Sequence, residues 1–273
     1  MGTEVNGNSP HAIAGQYGFQ PNGNPLHGFV LKNGSFTTID VPIALDPGVF
    51  ATQVDGINAP GQLVGTYFVG STNHGFFENN GNFIKLDPAN IRSQGGGINA
   101  KGQVSGTYRT PVVLPDGSDQ KRHGFIWSNG TFTTFNVPGD HPVLGTVAFG
   151  INDIGEVVGD YVDASLGIRH GFLRSSDGLN FTTLDVPGAV LTVAEGINNP
   201  GTIVGVYLND IVNFIRHGFV LNNGVFMKVD VPDAQQTEIN SINAIGEIGG
   251  YYIDSTGVVH GFIGVPARGV PAQ

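Results

Sequence analysis

The chain has 273 residues, with 12 basic against 22 acidic side chains for a formal net charge of −10, and no cysteine. That balance disfavours a nucleic-acid or anionic-membrane partner, and the missing thiols exclude disulfides and thiolate zinc sites. With 43 Gly and 16 Pro beside 40% hydrophobic residues, the composition describes many short strands and tight turns rather than disorder; no apolar run approaches a membrane span, and the opening Met1-Gly2-Thr3-Glu4 has no basic-then-apolar leader.

From Asn8 onward two blocks alternate. The first, Gly-Ile-Asn-x-x-Gly-x-x-Val-Gly-x-Tyr, is clearest over 56–67 and 196–207. Variants run over 97–108, 150–161 and 241–252, and a copy over 8–17 keeps the spacing and ends Ala14-Gly15-Gln16-Tyr17. The block predicts a strand entering Ile-Asn, a glycine turn and a strand ending at Tyr, its interior Gly marking a close backbone approach. The second block is His-Gly-Phe, at His27, His74, His123, His170, His217 and His260, with successive copies 47, 49, 47, 47 and 43 residues apart. Such a period is an internal repeat of one structural unit.

After each of the first five copies comes a short apolar piece and then Asn33-Gly34, Asn80-Gly81, Asn129-Gly130, Asp177-Gly178 or Asn223-Gly224. A strand-like run ending in Asp-Val-Pro or a close variant follows. Two such residues between β-rich runs predict a tight hairpin turn in which both take positive φ. Cross-strand partners in the first hairpin then sum to 67, placing Leu31 opposite Phe36 and His27 opposite Asp40. The same arithmetic pairs His74 with Asp87, His123 with Asn136, His170 with Asp185 and His217 with Asp230. Directly opposed Cβ atoms lie roughly 4.5–5.5 Å apart, within reach of an imidazole–carboxylate hydrogen bond, so each histidine reads as a clamp on its own hairpin. Asn136 keeps the bond without the charge, which favours the clamp over a metal or proton site. His260 holds the same position in a unit that lacks the strand after Phe262.

The units fall at approximately 8–42, 51–88, 93–138, 146–187, 192–232 and 239–266, each about four short antiparallel strands, in a single domain over 1–273. This predicts an all-β, six-bladed β-propeller, with five blades and an overlapping terminal blade as the alternative. The first unit lacks a long entry to its first strand and the last lacks its fourth, so the terminal strands are expected to pair and shut the ring. With these blocks, residues 8–264 resemble the bacterial extracellular HAF-repeat family, although the middle residue of the eponymous triplet is Gly in all six copies. The resemblance implies an exported propeller, secreted or at the cell surface, and carries over no catalytic motif.

Gly-x-Ser-x-Gly, His-Glu-x-x-His, the phosphate-binding Gly-rich loop and a complete calcium loop are all missing. No cofactor is expected beyond Ca²⁺: 163–167 and 254–257 resemble half a calcium loop, though each also suits a turn. On a repeated scaffold, function belongs where the units differ. The residue before Gly-Ile-Asn is Asp55, Gly96, Phe149, Glu195 and Asn240, varying while its neighbours repeat. If its strand is nearest the axis, Asp55 and Glu195 face each other three blades apart, able to hold a cation, bind a sugar or flank a scissile bond. Three further candidates are Trp127, a sugar platform or a packing residue, and the loop residues Asp140 and His141. The excursion over 109–122 is a candidate lip over one face. These residues suggest a non-catalytic module binding a glycan or other small polar ligand on one face or in the central funnel, the alternative being a polysaccharide-active hydrolase or lyase using acidic funnel residues.

Overall fold

Six antiparallel sheets and no helix make up a computed structural model, which describes residues 2–18, 26–88, 91–111 and 120–266. The first blade is β1 (Gly2–Ser9), β2 (Ala12–Gly18), β3 (His27–Lys32) and β4 (Ser35–Ile39), and the second is β5 (Val49–Ile57), β6 (Leu63–Val69), β7 (Thr72–Asn79) and β8 (Asn82–Lys85). The third is β9 (Ser93–Ile98), β10 (Val104–Pro111), β11 (Gln120–Ser128) and β12 (Thr131–Phe135). The fourth is β13 (Thr146–Ile151), β14 (Val157–Val162), β15 (Arg169–Arg174) and β16 (Phe181–Leu184). The fifth is β17 (Leu191–Ile197), β18 (Ile203–Leu208), β19 (Arg216–Asn222) and β20 (Val225–Val229). The sixth has three strands, β21 (Gln236–Ile242), β22 (Ile248–Ile253) and β23 (Val259–Gly264). The first strand of each blade touches that of the next in chain order, and β21 returns to β1, so these six line the axis of a six-bladed propeller.

The hairpin register is the one the turn dipeptides set: Leu31 opposes Phe36, and Gly28 opposes Ile39 beside the His27–Asp40 pair. Asn33, Asn80, Asn129 and Asn223 all take positive φ with the glycine that follows. The Asp177-Gly178 hairpin differs. Only Gly178 has positive φ, and the loop widens to 175–180, closed by Gly178 N–H to Ser175 O at 2.9 Å and Ser175 N–H to Asn180 O at 3.0 Å. Asp177 Oδ1 accepts from the Ser175 hydroxyl and from Leu179 N–H, which ties the wider loop together. The register sum survives because the added residues are equal on both sides.

The cores lie between blades. Phe29, Phe76, Phe125, Phe172 and Phe219 of the third strands are fully buried, each with a fourth-strand ring, Phe36, Phe83, Phe132, Phe181 or Phe226, at a centroid distance of 5.1–6.0 Å. Phe77 and Leu86 of the second blade pack with Val104 and Trp127 of the third. The glycine of Val-Gly-x-Tyr has a steric cause. A Cβ at Gly15, Gly65, Gly159, Gly205 or Gly250 would lie 1.9–2.1 Å from a carbonyl oxygen of the neighbouring first strand.

Two sets of side chains join blade to blade. The Val N–H of Asp-Val-Pro donates to the hydroxyl of a threonine opening the next blade, as in Val41 to Thr52 and Val137 to Thr146, both at 3.0 Å. Near the far end of the axis the asparagines of Gly-Ile-Asn form a chain of donors. Asn58 Nδ2 reaches Asn99 O, Asn99 reaches Asn152 O, Asn152 reaches Asn198 O, and Asn198 reaches Asn243 O, at 2.9–3.3 Å. Ser9 takes the sixth place, and there Asn8 Nδ2 donates to Glu247 O at 2.8 Å.

The ends of the ring depart from expectation. The first blade starts at Gly2 and has its own first strand, so its entry is not shortened to Asn8. Among the described residues no strand is shared between the first and sixth blades. They meet through packing of β1 on β21, β22 and β23, and through Asn240 Nδ2, which donates to Val5 O and Asn6 Oδ1 at 3.2 Å.

Candidate functional site

Each first strand contains residues that its ladder skips. The pairing jumps from Val5 to Gly7, Val54 to Gly56, Ala194 to Gly196 and Ile239 to Ser241, leaving Asn6, Asp55, Glu195 and Asn240 unpaired. In the third and fourth blades the jump is wider and omits Gly96-Gly97 and Phe149-Gly150. A β-bulge re-aims the side chain of its extra residue. On a strand lining the axis that direction is the channel, and all these residues line a central cavity of about 320 Å³. The structure thus gathers Asp55, Phe149, Glu195 and Asn240 around one cavity, with Asp55 and Glu195 on opposite blades.

Reading the sequence missed half of this lining. Asn6 belongs to the same ring, and Glu4, Gln53, Gln94, Val147 and Glu238, two residues earlier on their strands, form a second ring in the same cavity. Blades one, two, five and six supply carboxylates, while blades three and four supply glycines and Phe149. The signal that could have exposed Glu4 is weak, because the first blade writes Gly-Asn-Ser at 7–9 where the next four write Gly-Ile-Asn and the sixth Ser-Ile-Asn.

A belt of side chains divides this cavity from a second one further along the axis. Ile57, Ile98, Ile151, Ile197 and Ile242, with Asn8 in the sixth place, border both the upper cavity and a smaller one of about 110 Å³ lined by the asparagine chain. The acids therefore sit on the side where the first strands begin. That side carries the Asp-Val-Pro linkers and the variable connections between second and third strands. The connection at 209–215 presents Ile211, Val212 and Phe214 to solvent, with Phe214 at φ 50°, a strained conformation for an aromatic residue.

Burial pushes the Asp55 carboxyl up to about 7, against hydrogen bonds from Thr66 Oγ1 at 2.8 Å and Gln53 Nε2 at 2.5 Å that favour the charged form. Glu195 is raised well above the usual range, first by burial and then by repulsion from Glu238, Asp160 and Asp55. Burial raises Glu4 as well, although Gln16 Nε2 donates to it at 2.6 Å. Glu238 Oε1 accepts from both Arg216 Nη1 and Tyr251 Oη. The vestibule therefore holds carboxyl groups that can donate as well as accept near neutral pH.

Raised acidity makes a stability prediction. Between pH 3.8 and about 7 the folded chain keeps a proton on Asp55 that the unfolded chain has released, so stability falls as pH rises through that window. Asp55→Asn is uncharged throughout. At pH 8 it is expected to be more stable than the parent by roughly 1–3 kcal/mol, and at pH 4 to show no gain. Thermal melts at the two pH values check this; an equal shift at both would refute it.

The remaining candidates lie elsewhere. Trp127 is buried against Phe77 at 5.0 Å between ring centroids, so the expectation of a sugar platform is corrected: no ligand reaches its face. Asp140 and His141 do not line the channel; Asp140 accepts from Lys121 Nζ and Thr146 Oγ1 at 2.9 Å, and His141 Nδ1 accepts from Val143 and Leu144 N–H at 3.2 Å. Both brace a turn instead. The core of the 109–122 excursion, 112–119, lies outside the described residues.

The histidines sit on their hairpins, Nδ1 to acid or amide at 2.9 Å for His27–Asp40, 2.7 Å for His74–Asp87, 3.0 Å for His123–Asn136, 2.9 Å for His170–Asp185 and 2.7 Å for His217–Asp230. Each also lies against the tyrosine that opposes it on the second strand, with centroids 4.9–5.5 Å apart in all six blades. His260 is held through Nε2 by Asp254 at 2.8 Å. Asp163 and Asp254 each spend Oδ1 on the N–H groups and hydroxyl of their own turn, while Oδ2 meets Nε2 of His170 or His260. Among the described residues no three His, Asp or Glu side chains gather as a metal site, and no helix is long and apolar enough to cross a membrane.

No family model and no curated protein sequence matches the chain. Solved structures do. The chain is similar to the β-propeller domain of the Trilobed protease from Pyrococcus furiosus, whose topology is described as open velcro (TM-score 0.58, 9% identity, 95% of this chain and 80% of that one). It is similar to an Aleuria aurantia lectin mutant in complex with Fucα1-6GlcNAc (TM-score 0.56, 11% identity, 97% and 92%). It is also similar to a triple arginine-to-alanine mutant of AofleA from Arthrobotrys oligospora (TM-score 0.57, 13% identity, 98% and 83%). At such identities the likeness concerns architecture, and it agrees with the sheets: the chain is a six-bladed β-propeller.

Proposed function

We propose that the protein is a binding module that takes a neutral or amine-bearing glycan in the acidic vestibule. The observation that carries this reading is the placement of the variable bulge residues, Asp55 and Glu195 above all, on the wall of the axial cavity of an otherwise repeated frame. Part-protonated carboxyls and the amides of Asn6, Gln53, Gln94 and Asn240 suit hydroxyl groups, while Phe149 suits the apolar face of a sugar ring. The lining has no Lys or Arg to pair with a phosphate or a uronic acid. The lectin propeller in the comparison was solved with a fucoside, a reason to begin with neutral sugars. Export from a bacterial cell, implied by the resemblance to HAF-repeat proteins, belongs to the same proposal.

Calorimetry with neutral, amino-bearing and uronic oligosaccharides tests it. Asp55→Ala with Glu195→Ala is expected to weaken binding at least tenfold, about 1.4 kcal/mol, while the protein stays folded. Unchanged affinity in the double variant would sink the vestibule as the site. A hydrolytic reading draws on the same acids, since a carboxyl that holds its proton near neutral pH serves as a general acid. Release of reducing ends by the parent, lost in Glu195→Gln, would decide for the hydrolase.

A further inference from the structure

The wall of the vestibule is uneven, and its irregular part lies where the sixth blade meets the first. Blade one has Asn8 where the other five have isoleucine, and blade six has Ser241 where the other five have glycine. Both residues are buried and line the cavity, at 8% and 9% exposure, yet among the described residues Asn8 Oδ1 and Ser241 Oγ have no hydrogen-bond partner. A buried oxygen in that state costs free energy until a donor reaches it. We infer that the vestibule selects a primary ammonium group, seated against Asn8 and Ser241, so that amine-bearing glycans are its ligands in preference to neutral ones. The inference rests on the vestibule being the binding site.

The sense of the neighbouring hydrogen bonds sets the chemistry. A backbone carbonyl can only accept, so an amide beside one turns its nitrogen to it and keeps its oxygen for another partner. Asn8 Nδ2 donates to Glu247 O at 2.8 Å, Asn6 Nδ2 to Val54 O at 3.1 Å, and Asn240 Nδ2 to both Val5 O and Asn6 Oδ1 at 3.2 Å. On the second blade Gln53 Nε2 donates to the Asp55 carboxyl in the same way. The amides of blades six, one and two thus have oxygen left over, beside the carboxyl groups of Glu4, Asp55 and Glu238. Blades three and four offer glycines, Val147 and Phe149 instead. A hydroxyl brings one donor and needs donors for its own lone pairs, whereas an ammonium brings three and needs none. Acceptors on one side and an aromatic ring on the other suit the cationic and apolar parts of an amino sugar.

Charge acts in the same direction. Asp55 feels the charge of Glu4, and Glu195 that of Glu238, Asp160 and Asp55. The cations facing these acids are Arg169, 3.4 Å from Asp160, and Arg216, which shares Glu238 with the Tyr251 hydroxyl. Burial and crowding hold protons on Asp55 and Glu195; an ammonium among them favours the ionised forms, so its binding releases protons. A neutral sugar would accept hydrogen bonds from the protonated carboxyls and release none.

Calorimetry on the whole chain tests this with cellobiose, the corresponding glucosamine disaccharide and its N-acetylated form, which differ only in carrying hydroxyl, amine or acetamide at one position of each ring. At pH 7 the amine is expected to bind at least roughly tenfold tighter than the other two. Its affinity should fall about tenfold between pH 7 and pH 5, where Asp55 regains its proton while the amine stays charged. Heats in buffers of different ionisation enthalpy should show protons released with the amine alone. Asn8→Ile and Ser241→Gly each restore the residue of the other blades; both should melt close to the parent and reduce the preference for the amine to under about threefold. A preference unchanged in both variants, no proton release, or equal affinity for cellobiose and the amine overturns the ammonium seat. If cellobiose binds as tightly and Asp55→Ala with Glu195→Ala weakens it, the vestibule remains the site and only the ammonium seat falls. If none of the disaccharides binds, both readings fall.

Discussion

Gly159→Ala is expected to lose on the order of 4 kcal/mol, a large share of the stability of an ordinary domain. The added methyl would sit 2.0 Å from Val147 O and 2.7 Å from Phe172 Cε1. Neither neighbour can retreat. Val147 O belongs to a first strand fixed between adjacent blades, and Phe172 is fully buried in the core between them. Relief must come from separating β13 from β14, which breaks the ladder that sets the bulge at Phe149. Chemical denaturation would show the loss, and Gly155→Ala separates crowding from lost chain entropy. Gly155 has positive φ but nearly open space, so it should cost about 1 kcal/mol. Equal losses at the two sites would show that the carbonyl contact is not what excludes a side chain.

Asn152→Ala should cost roughly 2–4 kcal/mol, more than a typical surface substitution by several fold. Asn152 is buried, donates to Asn198 O of the next blade at 3.3 Å and to Glu156 Oε2 at 2.7 Å, and accepts Glu156 N–H at 2.9 Å. Alanine removes three bonds, leaves Glu156 N–H without its acceptor, and leaves Asn198 O with only the turn bond from Gly201 N–H. Asn152→Asp keeps the turn acceptor but sets a carboxylate against Glu156 Oε2 and Asn198 O, so on chemical denaturation it is expected to cost at least as much as alanine. A loss below 1 kcal/mol in both would mean that water replaces the asparagine chain.

Much of this architecture was legible because its causes are local and repeated. Asn33-Gly34 and its equivalents fix a turn, the turn fixes a register, and the register brings His27 to Asp40 without any knowledge of the neighbouring blade. The tyrosines against the histidines escaped because the link between second and third strands varies in length, so no turn announced their pairing. Trp127 was left open between a sugar platform and a packing residue, because whether a third-strand side chain faces solvent or the next blade depends on how sheets stack, which no single hairpin encodes. Glu4 and Asn6 were hidden by a first blade whose motif is altered at Asn8 and Ser9, and the open seam by the assumption that two incomplete ends complement each other. Asp55, Phe149, Glu195 and Asn240 stood out because they vary amid constancy, and the bulge explains that variation.

The bulge also separates two kinds of inheritance. A residue skipped by its ladder contributes no cross-strand pair, so Asp55 and Glu195 can be exchanged with little penalty to the ladders that carry them. The ring can therefore drift in selectivity while glycine, asparagine and histidine positions a few residues away hold still. Duplicated copies of such a chain would diverge in what they recognise long before they diverge in shape.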